Sequence, residues 1–355
     1  MQSVYSRGKP GVGSMDARLE RKLRLFAGII ASGIIGGIVF PVMLGHTSAS
    51  GIASGIIYGL LITITIGGIE LFVVEGPMRA WLGGLSFTRN LIVRSAIYAA
   101  IIIPIQFFHL GALLAGLSVE PSRDTFWSAT IYSGVFSVVM NLIVGITNLV
   151  GRRALLNFIT GRYHAPVQEN RFVLYVDIAG STGLAERLGG VGIHRFLDRT
   201  FRLLTVAVVD TRGEVLNYVG DEIIVTWPER GGSVDCRPLR CFVEMREALL
   251  RASSQFEREF GASPRIRGSL HFGPVIIGEI GDIKRAIVFN GDVMNTGARL
   301  EELSRGVEGG FLASRAAMAR FNSAPPFAVR DLGQLPIRGR ADGIDVVGLD
   351  VPALA

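Results

Sequence analysis

The sequence predicts a chain in two parts, an N-terminal all-α transmembrane bundle of four spans followed by a C-terminal α+β domain. Three observations predict it. Four apolar runs of spanning length lie before residue 150, and the 355 residues are 49% hydrophobic with a mean hydropathy of +0.42, too apolar for a chain wholly in water. Beyond residue 170, short apolar runs of strand length alternate with helix-like patterns.

Residues 1–24 read as a cytoplasmic tail, mixing Gly, Ser and charge without periodicity until Arg18, Arg21, Lys22 and Arg24 precede the first apolar run. The runs Leu25–Leu44, Ile52–Val74, Leu91–Leu117 and Phe126–Val150 make residues 25–150 the membrane domain. Each meets the roughly 20 residues that a spanning helix needs. Arg79, Arg89 and Arg94 lie between the second and third runs or at their edge, and Arg152 and Arg153 follow the fourth. The loops on the other side carry only Arg123, so the positive-inside rule puts both termini and the C-terminal domain on the cytoplasmic side of the inner membrane. A cleaved signal peptide is the rival reading of the first run, because small residues follow at Ser48–Ser50, but its apolar core exceeds the usual length of such a peptide.

Membrane lipid is therefore one expected partner. Glu70, Gln106, His109 and Asn141 are costly in lipid and are expected to face other helices, either as packing hydrogen bonds or, for Glu70 and His109, as a ligand pocket. Small residues from Ala31 to Gly55 suit close helix packing. The net charge of +6 resides largely in arginines beside apolar runs, which argues against a nucleic-acid partner. Cys236 and Cys241 are too few for a disulfide framework and poorly spaced for zinc, as expected of reduced thiols.

Residues 151–170 read as a connector in which Ala154–Thr160 extends the fourth helix and Gly161 and Pro166 break it. The soluble domain then occupies 171–355. Phe172–Val176 is a strand ending at Asp177, and the small residues Ala179, Gly180, Ser181 and Thr182 precede a helix whose first N–H groups can face a phosphate. Glu214–Val219 and Ile223–Trp227 flank a tight turn at Gly220 and Asp221, where an Asp by itself is ordinary turn chemistry. A helix over Pro238–Phe260 leads to a second strand pair, Arg265–Phe272 and Val275–Glu279. Gly291–Leu303 is a further helix that places Asn295 and Arg299 four apart on one face.

The segments VDIAGST, NYVGDEIIVTW and FNGDVMNTGARLEEL, in this order, resemble the catalytic domain of class III nucleotidyl cyclases over about residues 170 to 350. The resemblance implies a ferredoxin-like βαββαβ core. It also implies two Mg²⁺ (or Mn²⁺) held by Asp177, Asp221 and the backbone carbonyl of Ile178, since one ion must acidify a ribose hydroxyl while the other neutralises the triphosphate. Arg299 matches the arginine that stabilises charge in the transition state, Asn295 the residue that orients the ribose, and Arg338 a phosphate-binding lysine, with Arg340 as its rival. Asn217 and Val288 fall at the base-reading positions and depart from the usual residues there. An Asn amide can meet the edge of either adenine or guanine.

In that family the metal carboxylates and the Asn–Arg pair come from opposite subunits, so one chain with one set implies a head-to-tail homodimer. The expected activity is conversion of ATP to 3′,5′-cyclic AMP and pyrophosphate. The alternatives are a guanylate cyclase acting on GTP, or a catalytically weak nucleotide-binding module coupled to a membrane receptor.

Overall fold

The computed structural model describes residues 17–45, 47–74, 78, 81–82, 84–108, 123–151, 155–157, 160–283, 285–325, 327–338 and 342–349. The chain divides into two compact units, Leu19–Thr160 and a second with its body in Gly161–Ala355. His109, Arg340 and the loop arginines Arg79, Arg152 and Arg153 lie outside the described residues.

The first unit contains α1 (Ala17–Met43), α2 (Ala49–Ile69), α3 (Phe87–Phe107) and α4 (Arg123–Val150). All four are long and apolar enough to cross a bilayer, as the hydropathy pattern predicts. The Ser48 and Ser86 side chains cap α2 and α3 by accepting from the Gly51 and Arg89 N–H groups. Gly33 and Gly37 of α1 meet Gly55 and Gly59 of α2 backbone to backbone; a Cβ at Gly59 would overlap the Gly33 carbonyl oxygen. Without a hydrophobic drive in lipid, such close approach is what holds helices together.

Glu70 opens a π-helical turn, Glu70–Val74, at the end of α2. Its carboxylate pairs with Arg94 and accepts from the Tyr98 hydroxyl at 2.8 Å, and Arg94 Nε also donates to Asn90 at 2.7 Å. The partners of Glu70 are thus α3 side chains, which fits the packing reading of this residue. Gln106 likewise donates to Ser133 of α4 at 3.3 Å. The fourth helix does not run on to Thr160 as one piece: Gly151 takes φ +92° directly after α4, and residues 155–157 are helical again.

The second unit is built from β1 (Val167–Ile178), α5 (Ser181–Asp210), β2 (Glu214–Val219), β3 (Glu222–Pro228), α6 (Arg237–Phe260) and β4 (Ile266–Ile280). Then follow β5 (Ala286–Asn290), α7 (Asp292–Ser304), β6 (Phe311–Ser314), β7 (Val329–Leu335) and β8 (Ile344–Leu349). The sheet runs β2-β3-β1-β4-β6-β8-β7, with β5 paired to β4. Its first four strands pair antiparallel, and with α5 and α6 they form the ferredoxin-like βαββαβ core. β1 begins at Val167, ahead of the expected boundary at 171.

β1 lies between two layers, which is why it reads as an unbroken apolar run. Phe172, Leu174, Val176 and Ile178 enter the large core with Phe196 and Leu204 of α5 and Phe242 of α6. Val173 and Tyr175 point the other way, into a smaller cluster with Ile277 of β4 and Val293 of α7. The expected pair Arg265–Phe272 and Val275–Glu279 is instead one strand, β4, whose hairpin partner is β5. Gly273 and Pro274 read as a turn but pass straight through. The outer edge of β4 pairs with β6 at 268–270 and with β5 at 276–280, so Pro274 falls in the gap, where its missing N–H costs no ladder bond on that edge.

The α1–α2 contact gives a test. Gly59→Val is expected to destabilise the full chain in detergent by about 1–3 kcal/mol through overpacking, lowering its apparent Tm. Gly28→Val, with nothing within 4 Å of a Cβ, is expected to leave the Tm unchanged. Equal Tm values for the two variants would show that α1 and α2 do not pack this way.

Candidate active site

The alternation that buries Val173 and Tyr175 carries on to Asp177, which lies on the α7 side of the sheet at the end of β1. Pairing places it opposite Glu222 of β3 and opposite Arg267 of β4, so a charged row crosses three strands. Asp177 is 5% exposed, and its Oδ2 accepts from Arg267 Nη2 at 2.5 Å and Nε at 2.9 Å. Burial raises its pKa above the usual carboxylate range; Arg267 opposes that shift and nearby Asp221 adds to it.

Asp221 reaches the same edge from the β2–β3 hairpin. The strands close at Val219 and Glu222, leaving Gly220 and Asp221 as a two-residue loop, and Gly220 supplies the positive φ of 62° that such a loop needs. The Ile178 N–H donates to the Asp221 carbonyl at 3.3 Å, and the Ser181 hydroxyl donates to the Asp221 carboxylate. Ile178 buries its side chain in the large core and has only its backbone carbonyl to offer a ligand. Between the two aspartates and α5, Ala179 N–H is tied to the Arg265 carbonyl at 2.8 Å, Gly180 turns the chain at φ +77°, and Thr182 is exposed. Asp177, Ile178, Asp221 and the 179–182 turn are therefore brought together.

Four residues that local sequence reading passes over complete this cluster. Burial and the carboxylates of Glu301, Asp177 and Asp221 push the Glu222 pKa up to about 7. Glu301 of α7 is 4% exposed, and its Oε1 lies 3.4 Å from Arg267 Nε. Its pKa is raised by burial first and by Asp177 next. Arg305 stands 4.0 Å from Asp177 and 3.9 Å from Glu301. Glu222 could have been found as the neighbour of Asp221, and Glu301 on the helix of Arg299. Arg267 has no local signal, because only strand pairing brings it to Asp177.

Crowded carboxylates with raised pKa values form a site that a bound cation stabilises. Among the described residues, no group of three or more His, Cys, Asp or Glu side chains is arranged to hold one ion. The donors at this edge that could hold a metal are the Asp177 and Asp221 carboxylates and the Ile178 carbonyl, all oxygen. That set suits Mg²⁺, which completes its shell with water and substrate phosphates.

Helix α7 divides the remaining candidates from this edge. Tyr175 donates to the Met294 carbonyl at 2.9 Å, and Ser269 donates to the Gly297 carbonyl at 2.6 Å. Gly297 lies so close to β1 that a Cβ would stand 2.6 Å from the Tyr175 ring. Gly297 and Glu301 thus mark the sheet-facing side. Asn295 and Arg299 share the other, each two residues out of phase and so roughly 200° round the helix; Asn295 is exposed and Arg299 half-buried. One chain does not turn this pair towards its own Asp177.

Asn217 owes its place to a bulge. Between Val215 and Asn217 the β2–β3 register shifts, leaving Leu216 as the extra residue and pairing Asn217 with Ile224. Without it Asn217 would pair with Ile223 and face α5 and α6; with it, Asn217 shares the side of Asp177. Asn217 Oδ1 accepts from the Tyr218 N–H at 3.0 Å, and Tyr218 is anchored on α5 by Thr205 at 3.2 Å and by packing on Phe201. Val288 sits on β5 opposite Gly278, and Arg338 is exposed beyond β7. Neither is brought to the aspartate pair.

Residues 164–347 match the family described as the adenylate and guanylate cyclase catalytic domain. The chain is 33% identical over 262 residues to adenylate cyclase 2 of Rhizobium meliloti, spanning 72% of each. It is 24% identical over 180 residues to an adenylate cyclase of Anabaena cylindrica, spanning 49% of this chain and 35% of that one. A solved bacterial light-regulated adenylyl cyclase shares the fold with a TM-score of 0.54 at 19% identity, covering 65% of this chain and 66% of that one. With the family matched over more than half of its length, this chain belongs to the class III adenylate and guanylate cyclases.

Proposed function

We propose that the protein is a membrane-anchored adenylate cyclase that converts ATP to 3′,5′-cyclic AMP and pyrophosphate at sites shared by two copies of the chain. One observation carries the reading. Asp177 and Asp221 converge on one edge of the chain, while Asn295 and Arg299 face away from it on α7. A second copy packed head to tail supplies the missing half, and the symmetry makes two equivalent sites.

The reaction forms a bond from the ribose 3′-oxygen to the α-phosphorus and breaks the bond from that phosphorus to the bridging oxygen of pyrophosphate. Mg²⁺ or Mn²⁺ held by Asp177, Asp221 and the Ile178 carbonyl would acidify the 3′-hydroxyl and neutralise the triphosphate. Arg267 holds Asp177 in place and Ser181 holds Asp221. The backbone N–H groups at the start of α5, from Ser181 onward, face the phosphates. Arg299 of the partner subunit meets the charge that builds on the α-phosphate, and Asn295 of the partner subunit orients the ribose. Arg338, which is not brought to the aspartates of its own chain, would reach the outer phosphates from the partner subunit.

Asn217 supports ATP over GTP. A backbone N–H only donates, so the atom that Tyr218 N–H meets is the amide oxygen, and the amide presents its NH₂ outward. At N1, adenine offers an acceptor and guanine a proton, so this donor meets adenine productively and guanine badly. The adenylate cyclase names of the Rhizobium meliloti and Anabaena cylindrica relatives agree with that choice. The arginine pattern around the spans supports both termini and the catalytic unit on the cytoplasmic face of the inner membrane.

Asp177→Ala, Asp221→Ala and Arg299→Ala are each expected to lower cyclisation on the order of 10²-fold or more. Mixing Asp177→Ala chains with Arg299→Ala chains is expected to restore about a quarter of wild-type activity, one good site in each heterodimer. No restoration in confirmed heterodimers would refute the shared site. Asn217→Ala is expected to reduce the ATP-over-GTP ratio of kcat/KM by about 3- to 10-fold, the worth of one hydrogen bond; an unchanged ratio would remove Asn217 from base selection.

A further inference from the structure

The segment that leads from the membrane unit into β1 is docked against the elements that carry Asn295 and Arg299. Tyr163 is only 3% exposed although it lies in a turn, whereas the side chains of its neighbours Arg162 and His164 are 63% and 76% exposed. Its ring joins the cluster of Tyr175, Ile277 and Val293, with Phe289 and Met294 packed against it. Both polar ends of Tyr163 are tied as well. The hydroxyl donates to Glu169 at 3.1 Å, and the carbonyl accepts from the Glu279 N–H at 3.0 Å. Glu169 is held in turn by Arg171 at 3.0 Å, and Glu279 faces His164 at 3.5 Å.

These contacts lead to one half of the site and bypass the other. Phe289 adjoins Val288 on β5, and Met294, whose carbonyl accepts from Tyr175, adjoins Asn295 on α7. Tyr163 meets β4 next to Ile277, which pairs with Val167 at the start of β1, whereas Asp177 stands at the far end, opposite Arg267. The ten residue steps from Val167 to Asp177 span roughly 33 Å of strand. Removing the ring would leave a cavity in the cluster that also holds Val293, and Val293 seats the first turn of α7 over Gly273 of β4.

We propose that Tyr163 is a positioning residue for the α7–β5 half of the site, through which the membrane-proximal segment sets how its own chain presents Asn295 and Arg299 to the metal carboxylates of a partner. This rests on the reading of the site as shared between two copies. Tyr163 does not touch substrate; it acts through the cluster at Val293 and so through α7.

The shared site makes the direction of the effect measurable. In full-length heterodimers of an Asp177→Ala chain with an Arg299→Ala chain, the one good site takes its α7 from the first and its carboxylates from the second. Tyr163→Ala placed in the Asp177→Ala chain is expected to lower kcat of that site by about tenfold or more, as a small misplacement of a reacting group does. Placed in the Arg299→Ala chain it is expected to leave kcat within about twofold, and Tyr163→Phe is expected to do so in either chain. A folding defect follows Tyr163→Ala into both pairings alike, so the asymmetry isolates positioning. Equal loss in the two placements, no loss in either, or loss confined to the Arg299→Ala chain would overturn the inference while the parent pair still complements. Failure of the parent pair itself would overturn the shared site and this inference with it.

Discussion

Strand β1 is paired on both edges and buried on both faces, and that constraint decides where Asp177 stands. The same register that sends Phe172, Leu174 and Val176 into the large core puts Asp177 opposite Glu222 and Arg267. A one-residue slip would bury the acid among α5 and α6 and expose the core. The register therefore fixes the site as firmly as it fixes the fold. Its charged row is only partly compensated: Arg267 opposes the burial of Asp177, yet Asp177, Glu222 and Glu301 all keep raised pKa values. Such residual strain in favour of a cation is a cost that a purely structural sheet end would have no reason to carry.

Helix α7 turns this edge into half of something. Gly297 against Tyr175 and Glu301 against Arg267 fix the rotation of the helix about its axis, and that rotation sends Asn295 and Arg299 outward. On the proposed reading, a chain that carries these groups on different faces is completed by a second copy. The Tyr163 docking extends the same logic upstream, because the cluster behind α7 is also where the membrane-proximal segment is fastened.

Much of this is legible in the sequence because it is local. An acid at a strand end, a Gly–Asp hairpin turn and an Asn–Arg pair at helical spacing each declare themselves within a few residues, and so do four apolar runs. What stays hidden depends on pairing across the chain. Arg267 lies 90 residues from Asp177 in sequence and is placed by the β1–β4 register alone. The Leu216 bulge is invisible to a period-two pattern, yet it decides which side Asn217 faces. Gly273–Pro274 carries the composition of a turn and serves as strand, because the gap between the β5 and β6 pairings makes the missing N–H harmless there. Glu70 announces a costly group in lipid, but its partner Arg94 lies on the next helix, 24 residues on.

The most direct measurement is identification of the product. Full-length protein in detergent, supplied with Mg²⁺ and with ATP or GTP side by side, should release 3′,5′-cyclic AMP and an equal amount of pyrophosphate from ATP, with cyclic GMP from GTP as the minor activity. Absence of a cyclic nucleotide from either substrate, with the dimer shown to be intact, would contradict the account.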